Sequence, residues 1–267
     1  MRANFKISPG SLYYWLVIGI LFLPIILLII FSFNDSTRLV LPLRGFTLRW
    51  YGELIKNTEL HGAVRTSVLL ALGSSSIATI LGMMGALAIV RFQFPGRGVF
   101  IAAAAMPLVI PYVILGVSLL IMLHTLGVHL SAWTAGLAHV VISLPYALLV
   151  ITARLVGFPQ NLEEAAMDLG ATYWGALRRV TLPIMSPALM AAFLICFTIS
   201  FDEFAIASFL VGTEPTLPVY LYSQLRFPTR LPLVVSMAGI LMTISMIMIL
   251  LSEWLRRAGA SAQPKKK

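Results

Sequence analysis

Pro159-Gln-Asn-Leu-Glu-Glu-Ala-Ala-Met-Asp-Leu-Gly-Ala-Thr-Tyr-Trp-Gly-Ala-Leu-Arg-Arg-Val-Thr-Leu-Pro183 is a polar interruption in a chain that is otherwise apolar. It holds its own start and stop signals for a short helix. Asn161 is a candidate N-cap, and Glu164 stands three residues on, the spacing of a capping box. Gly170 suits the C′ position, where the backbone turns left-handed and a Cβ is unwelcome. Leu162, Ala165, Ala166 and Leu169 recur at i, i+3, i+4 and i+7 and share one face. Glu163, Glu164 and Asp168 lie off that face, and acids near a helix start suit its dipole. A second helical stretch starts at Thr172 and passes Arg178 and Arg179, and Pro183 marks the approach to the next apolar run.

The composition around this segment is that of a membrane protein. The chain has 267 residues, 59% hydrophobic and 11% charged, with a mean hydropathy of +0.94, far from a soluble domain. Six stretches are long enough to span a bilayer: 12–33, 67–90, 99–123, 132–153, 187–211 and 232–252. The first is too long for a signal peptide core and no small-residue cleavage site follows, so it is expected to remain as an uncleaved span. Residues 1–11 then form an N-terminal segment, 34–66 a connecting segment, 67–255 the main membrane domain, and 256–267 a basic tail anchored at the inner lipid surface. The one cysteine, Cys196, lies in an apolar span, which excludes disulfides and a cysteine-based metal site.

The net charge of +9 reads as membrane orientation, not as nucleic-acid binding. With both termini inside, the inner segments carry Arg2, Lys6, Arg91, Arg97, Arg154, Arg178, Arg179, Arg256, Arg257, Lys265, Lys266 and Lys267. The outer segments carry Arg38, Arg44, Arg49, Lys56, Arg65, Arg226 and Arg230. The positive-inside rule favours this orientation and places 159–183 in the cytoplasm.

Within the spans a few residues stand out. Ser74, Ala78, Gly82 and Ala86 form a stripe of small residues, which lets membrane helices approach closely. Pro107 and Pro111 remove backbone donors and predict a bend in span three, and Pro145 a similar one in span four. His124, His129 and His139 lack the carboxylate neighbours of a metal site. Asp202 and Glu203 lie in span five, where an acid costs about 2.5–3.5 kcal/mol at a helix centre, so each is a candidate functional residue. Their positions point them at different surfaces, about 100° apart. A role in the substrate pathway and a structural role between helices both fit them.

The spacing in the first segment resembles the EAA loop of ABC importer permeases. In that family Glu-Ala-Ala is followed at fixed distances by Gly, then Ile, then Leu-Pro. Here Glu164, Ala165, Ala166, Gly170, Leu182 and Pro183 fall on the pattern, with Val180 in the Ile position. The Leu-Pro-Ile-Ile run after Phe22, the Gly45-Phe46-Thr47 and Trp50-Tyr51 stretch, Phe201-Asp202-Glu203-Phe204, and the Thr216-Leu217-Pro218 and Tyr222-Ser223 loop are similar to its spermidine/putrescine branch. The resemblance implies an all-α membrane protein of six transmembrane helices with the type I, methionine-permease-like fold and a cytoplasmic coupling helix at 159–183. It implies a bacterial inner-membrane subunit that pairs with a second homologous permease, sits above two ATPase subunits and receives substrate from a periplasmic binding protein. The implied substrate is a polyamine or related cationic amine, for which Asp202 or Glu203, if either lines the pathway, would be an attractor.

No nucleotide site is expected in this chain. A phosphate loop needs a Lys in a Gly-rich context, and no lysine occurs between Lys56 and Lys265. ATP is therefore expected on a partner subunit, with no cofactor, metal or catalytic residue here. The alternatives are an importer permease for another small solute, a secondary transporter, and an intramembrane enzyme. A secondary transporter should show matching broken helices in its two halves, and the double proline of span three has no counterpart in span six. An enzyme would need a second catalytic group at depth beside Asp202 and Glu203, and His139 is the candidate.

Overall fold

In lipid the backbone must satisfy its own polar groups, so long apolar runs become helices. The computed structural model describes residues 9–37 and 42–261. Arg2, Lys6, Arg38 and Lys265 to Lys267, used above for orientation, lie outside the described residues, as do parts of the segments 1–11 and 256–267. Among the described residues every regular element is helical, apart from one isolated antiparallel bridge between Asn34 and Phe46.

The helices are α1 (Pro9–Ser32), α2 (Arg49–Lys56), α3 (Thr58–Arg91), α4 (Arg97–Ala105), α5 (Tyr112–Thr125), α6 (Ala132–Val156), α7 (Asn161–Asp168), α8 (Tyr173–Ala176), α9 (Leu182–Phe201), α10 (Ala207–Leu210), α11 (Leu217–Gln224) and α12 (Leu231–Ser261). Five continuous helical stretches are long and apolar enough to cross a membrane, and a sixth crossing results if α4 and α5 form one broken span. That pair is bent by 103°. The break holds a 3-10 turn, Met106–Leu108, and Pro111 then starts α5 from extended backbone with ψ 130°. The two prolines thus produce a full break in the helix. Pro145, by contrast, lies inside a continuous α6.

Two boundaries differ from the sequence reading. The second span begins at Thr58, well before residue 67. With 34 residues it is about 51 Å long at 1.5 Å per residue, longer than the ~30 Å hydrocarbon core. Span five was expected over 187–211, but the continuous helix runs over Tyr173–Phe201. Near its start is a π turn, Leu177–Thr181, where the Leu182 N–H reaches back to the Leu177 carbonyl. Pro183 has no N–H to continue the ordinary ladder, and the wide turn lies immediately before it.

Contacts divide the chain into two units. One comprises the residues up to Thr58 and Leu221–Thr243. Here the Ser236 hydroxyl donates to the Ser32 carbonyl at 3.0 Å, and the Trp50 indole N–H donates to the Asn34 carbonyl at 2.8 Å. α2 is amphipathic: Trp50 and Leu54 are buried, while Ile55 is exposed. The other unit comprises Glu59–Tyr220 and the chain from Ile244. Its core lies between α3, α6 and α9, with Ala78, Met83, Ala147, Ile151, Met185 and Ala192 buried together. Ser74, Ala78, Gly82 and Ala86 are all buried, as the small-residue stripe predicts. A Cβ on Gly82 would lie 2.7 Å from the Ala147 Cβ, so this glycine sets how closely α3 and α6 approach.

Candidate functional site

α7 forms the short helix expected in the polar interruption, but its start differs. Gln160, already helical at φ −64° and ψ −31°, precedes it and makes no side-chain cap bond. Asn161 is the first helical residue, so it does not cap, and the box with Glu164 does not form. The cause is Pro159. Its carbonyl accepts from the Leu162 N–H, and Gln160 accepts from Glu163 and Glu164, so helical winding begins one residue early. An N-cap needs non-helical backbone, which Asn161 no longer has.

The end of α7 follows the sequence. Gly170 has φ +89°. Its N–H donates to the Met167 carbonyl at 2.9 Å, and the Ala171 N–H donates to the Ala166 carbonyl at 3.0 Å. These are the two bonds of a Schellman stop. Thr172 then caps the following stretch, its hydroxyl accepting from the Gly175 N–H at 3.1 Å.

The surface of α7 is inverted relative to an ordinary amphipathic helix. No residue of α7 is buried. Leu162, Ala165, Met167 and Leu169 are exposed, with Leu169 at 90%, and Trp174 beyond the turn is 73% exposed. Glu164 is exposed as well, whereas Glu163 turns inward. Its Oε1 accepts from the Thr181 hydroxyl at 2.5 Å, and its Oε2 lies 3.1 Å from Arg91 Nη2. Leu182 is half-buried against the α3–α6–α9 core, and Pro183 is exposed.

The two acids of span five stand beyond the helix interior. α9 ends at Phe201, and the Asp202 N–H donates to the Thr198 carbonyl at 3.0 Å. The Asp202 carboxylate is exposed and accepts from the Ser245 hydroxyl at 2.7 and 2.9 Å. Glu203 is buried. Its carboxylate caps α10, accepting from the Ile206 and Ala207 N–H groups at 2.8 and 2.9 Å, and lies 3.3 Å from His139 Nε2. His139 Nδ1 is 2.8 Å from the Ser200 hydroxyl, which accepts from Ser74 at 2.9 Å. A row of Ser200, His139 and Glu203 has the order of a hydrolytic relay. Its hydroxyl is sealed, however: Ser200 is 3% exposed and Ser74 fills its other side. The row ties α3, α6, α9 and α10 together and leaves a substrate no approach. His124 and His129 are not drawn into it, and among the described residues no three His, Cys, Asp or Glu side chains cluster for a metal.

Sequence reasoning missed the grouping of Arg91 with Glu163 and Thr181, and it set His139 beside the two acids only as a candidate catalytic partner, not as the structural tie that it forms with Glu203. A signal for the first was present, since Glu163 lies off the apolar face of α7 and Arg91 closes the long apolar run of α3. Shared depth in apolar spans made His139 a candidate beside the two acids, but nothing in the spacing says that it pairs with Glu203 and Ser200 and not with Asp202.

The chain resembles known proteins along most of its length. The family described as "Binding-protein-dependent transport system inner membrane component" matches residues 78–258. The spermidine/putrescine transport system permease protein PotC of Escherichia coli (strain K12) is 34% identical over 238 residues, covering 89% of this chain and 89% of that protein. The putrescine transport system permease protein PotI of the same strain is 40% identical over 222 residues, covering 79% of this chain and 78% of that protein. Among solved structures, a bacterial alginate ABC transporter in complex with its alginate-bound periplasmic protein gives a TM-score of 0.69 at 18% identity, over 97% of this chain and 98% of that one.

Proposed function

The chain belongs to the family of inner-membrane components of binding-protein-dependent transport systems, and we propose that it forms half of the translocation pathway of an ATP-driven importer for polyamines of the spermidine and putrescine class. It is a multi-pass permease with the type I importer fold. The other half of the pathway is a second, homologous permease. ATP is bound and hydrolysed by two separate ATPase subunits, and a periplasmic binding protein delivers the amine. Both termini and the 159–183 segment face the cytoplasm, and residues 34–66 face the periplasm.

The exposed apolar stripe of α7 carries the coupling part of this reading. Leu162, Ala165 and Leu169 form a greasy face in a segment outside the spans. Such a face marks a docking surface. It suits the groove of an ATPase subunit, with Glu164 at its rim and the Gly170 stop fixing the angle at which α7 leaves the membrane helices. ATP binding closes the ATPase dimer, moves α7, and the motion passes through Leu182 and Pro183 into α9.

Asp202 supports the cationic substrate. An exposed carboxylate at the very end of an apolar span is costly against lipid, so this side of the chain faces water in a pathway or a partner subunit. The Ser245 hydroxyl that donates to it carries no charge, which leaves the negative charge of Asp202 for an ammonium group. Glu203 supports the site from beneath, its charge held by His139 and the start of α10.

The experiment is reconstitution of the chain with its companion permease, ATPase and binding protein in vesicles. Spermidine or putrescine should stimulate ATP hydrolysis and enter the vesicles. Stimulation by another solute and by neither polyamine would remove the substrate assignment, and failure to co-purify with an ATPase would remove the importer assignment.

A further inference from the structure

α7 shows an apolar surface outward and a carboxylate inward, and the carboxylate is its one side-chain anchor described above. Glu163 lies in the first turn of α7, Arg91 in the last turn of α3, and Thr181 in the π turn that leads into α9. The Arg91 and Glu163 side chains are 8% and 13% exposed, and Thr181 is fully buried. The Arg91 guanidinium also lies 5.6 Å from the centre of the Phe158 ring. Each charge stands at the helix end whose dipole favours it, the cation at a C-terminus and the anion at an N-terminus.

These contacts give one carboxylate two separate ties. Oε2 binds α7 to α3, a helix far from it in sequence, and Oε1 binds it to the base of α9. Removing one member of a buried ion pair leaves the other without compensation, so the pair resists partial opening. α7 has no buried apolar side chain to hold it instead. A force on α7 therefore reaches α3 and α9 together.

We infer that Glu163 is a positioning residue for transport: with Arg91 and Thr181 it forms the rigid joint that converts displacement of α7 into a concerted movement of α3 and α9. Glu164, next in sequence, faces outward and serves docking. This inference rests on the reading of α7 as the ATPase-coupling helix.

The test uses the assembled importer in vesicles. Glu163→Gln should leave the ATPase subunit bound and its basal hydrolysis intact. Transport and its stimulation by loaded binding protein should fall about 5- to 150-fold, the range of typical coupling between sites. The exchange of Arg91→Glu with Glu163→Arg should recover more transport than either single change. Thr181→Val, which removes one hydroxyl, should uncouple more weakly, and it decides the matter together with the exchange if Glu163→Gln does not accumulate. Transport at the wild-type rate in Glu163→Gln overturns the joint, as does loss of the bound ATPase subunit, which would make the pair a docking support. Leu169→Asp separates the two readings: it should release the ATPase subunit. If it does not, the coupling role of α7 itself fails.

Discussion

Replacing Gly170 by Val perturbs one property of the segment proposed to couple ATP to transport. A Cβ at this position meets nothing within 4 Å, so crowding plays no part. The backbone does, because φ is +89°. Left-handed backbone costs an L-residue about 1–2 kcal/mol, and the β-branched side chain of Val adds stiffness. If the chain refuses the turn, it loses the Gly170 N–H to Met167 and Ala171 N–H to Ala166 bonds, together worth about 1–3 kcal/mol. Strain and escape are therefore of similar size, and the end of α7 divides between a strained stop and a frayed one. At roughly 1.4 kcal/mol the intact geometry loses about tenfold in population relative to its competitors. The spans lie outside this turn, so membrane insertion should survive. The assay is ATPase co-purification with substrate-stimulated hydrolysis in vesicles, run on a series. Gly170→Asn should stay near wild type, since Asn tolerates this conformation, Gly170→Ala should be intermediate, and Gly170→Val lowest. Wild-type behaviour of Gly170→Val would refute the reasoning. So would equal damage from Asn and Val, which would mean the partner needs space there and not a turn.

Other consequences can be checked independently. Gly82→Leu should lower the thermal unfolding temperature in detergent by overpacking α3 against α6, at about 1–3 kcal/mol, while Gly73→Leu, whose Cβ meets nothing within 4 Å, should not. Asp202→Asn should reduce polyamine transport with the complex still assembled; unchanged transport removes Asp202 from the pathway, and failed assembly makes it structural. Gln160→Cys, in a Cys196→Ala background, should react with an impermeant thiol reagent only from the cytoplasmic side, and labelling of intact cells from outside would reverse the orientation.

Much of this molecule was legible because membrane and turn chemistry are local. A run of apolar residues reports a span, the stripe from Ser74 to Ala86 reports a packing face, and a glycine after an apolar repeat reports a stop. The spacing from Glu164 to Pro183 reported the family. The start of α7 was misread because two local signals competed, Asn161 as a cap against Pro159 as a helix initiator, and the fixed φ of the proline won. The extent of the fifth span was misread because the helical stretch through Arg178 and Arg179 reads as separate from the apolar run, with Pro183 between them, yet the π turn before Pro183 lets one helix run through both. The deeper misses are tertiary. An acid in an apolar run is visible as an anomaly, but whether its charge is consumed internally, as for Glu203 by His139 and α10, or left outward, as for Asp202, depends on helices brought together only by the fold.

The π turn at Leu177–Thr181 holds one more residue than an ordinary turn would over the same stretch. Everything on its α8 side is thereby set about 100° around the axis of α9 from where uniform winding would leave it. The azimuth of the exposed apolar face of α7 is thus encoded by a residue count as well as by residue identity. Substitution scans preserve that count and leave the angle alone. Loss of a single residue between Ala176 and Leu182 would restore regular winding and swing α7 more than a quarter turn around the helix, with every side chain of its apolar face still present and none of them pointing in its former direction.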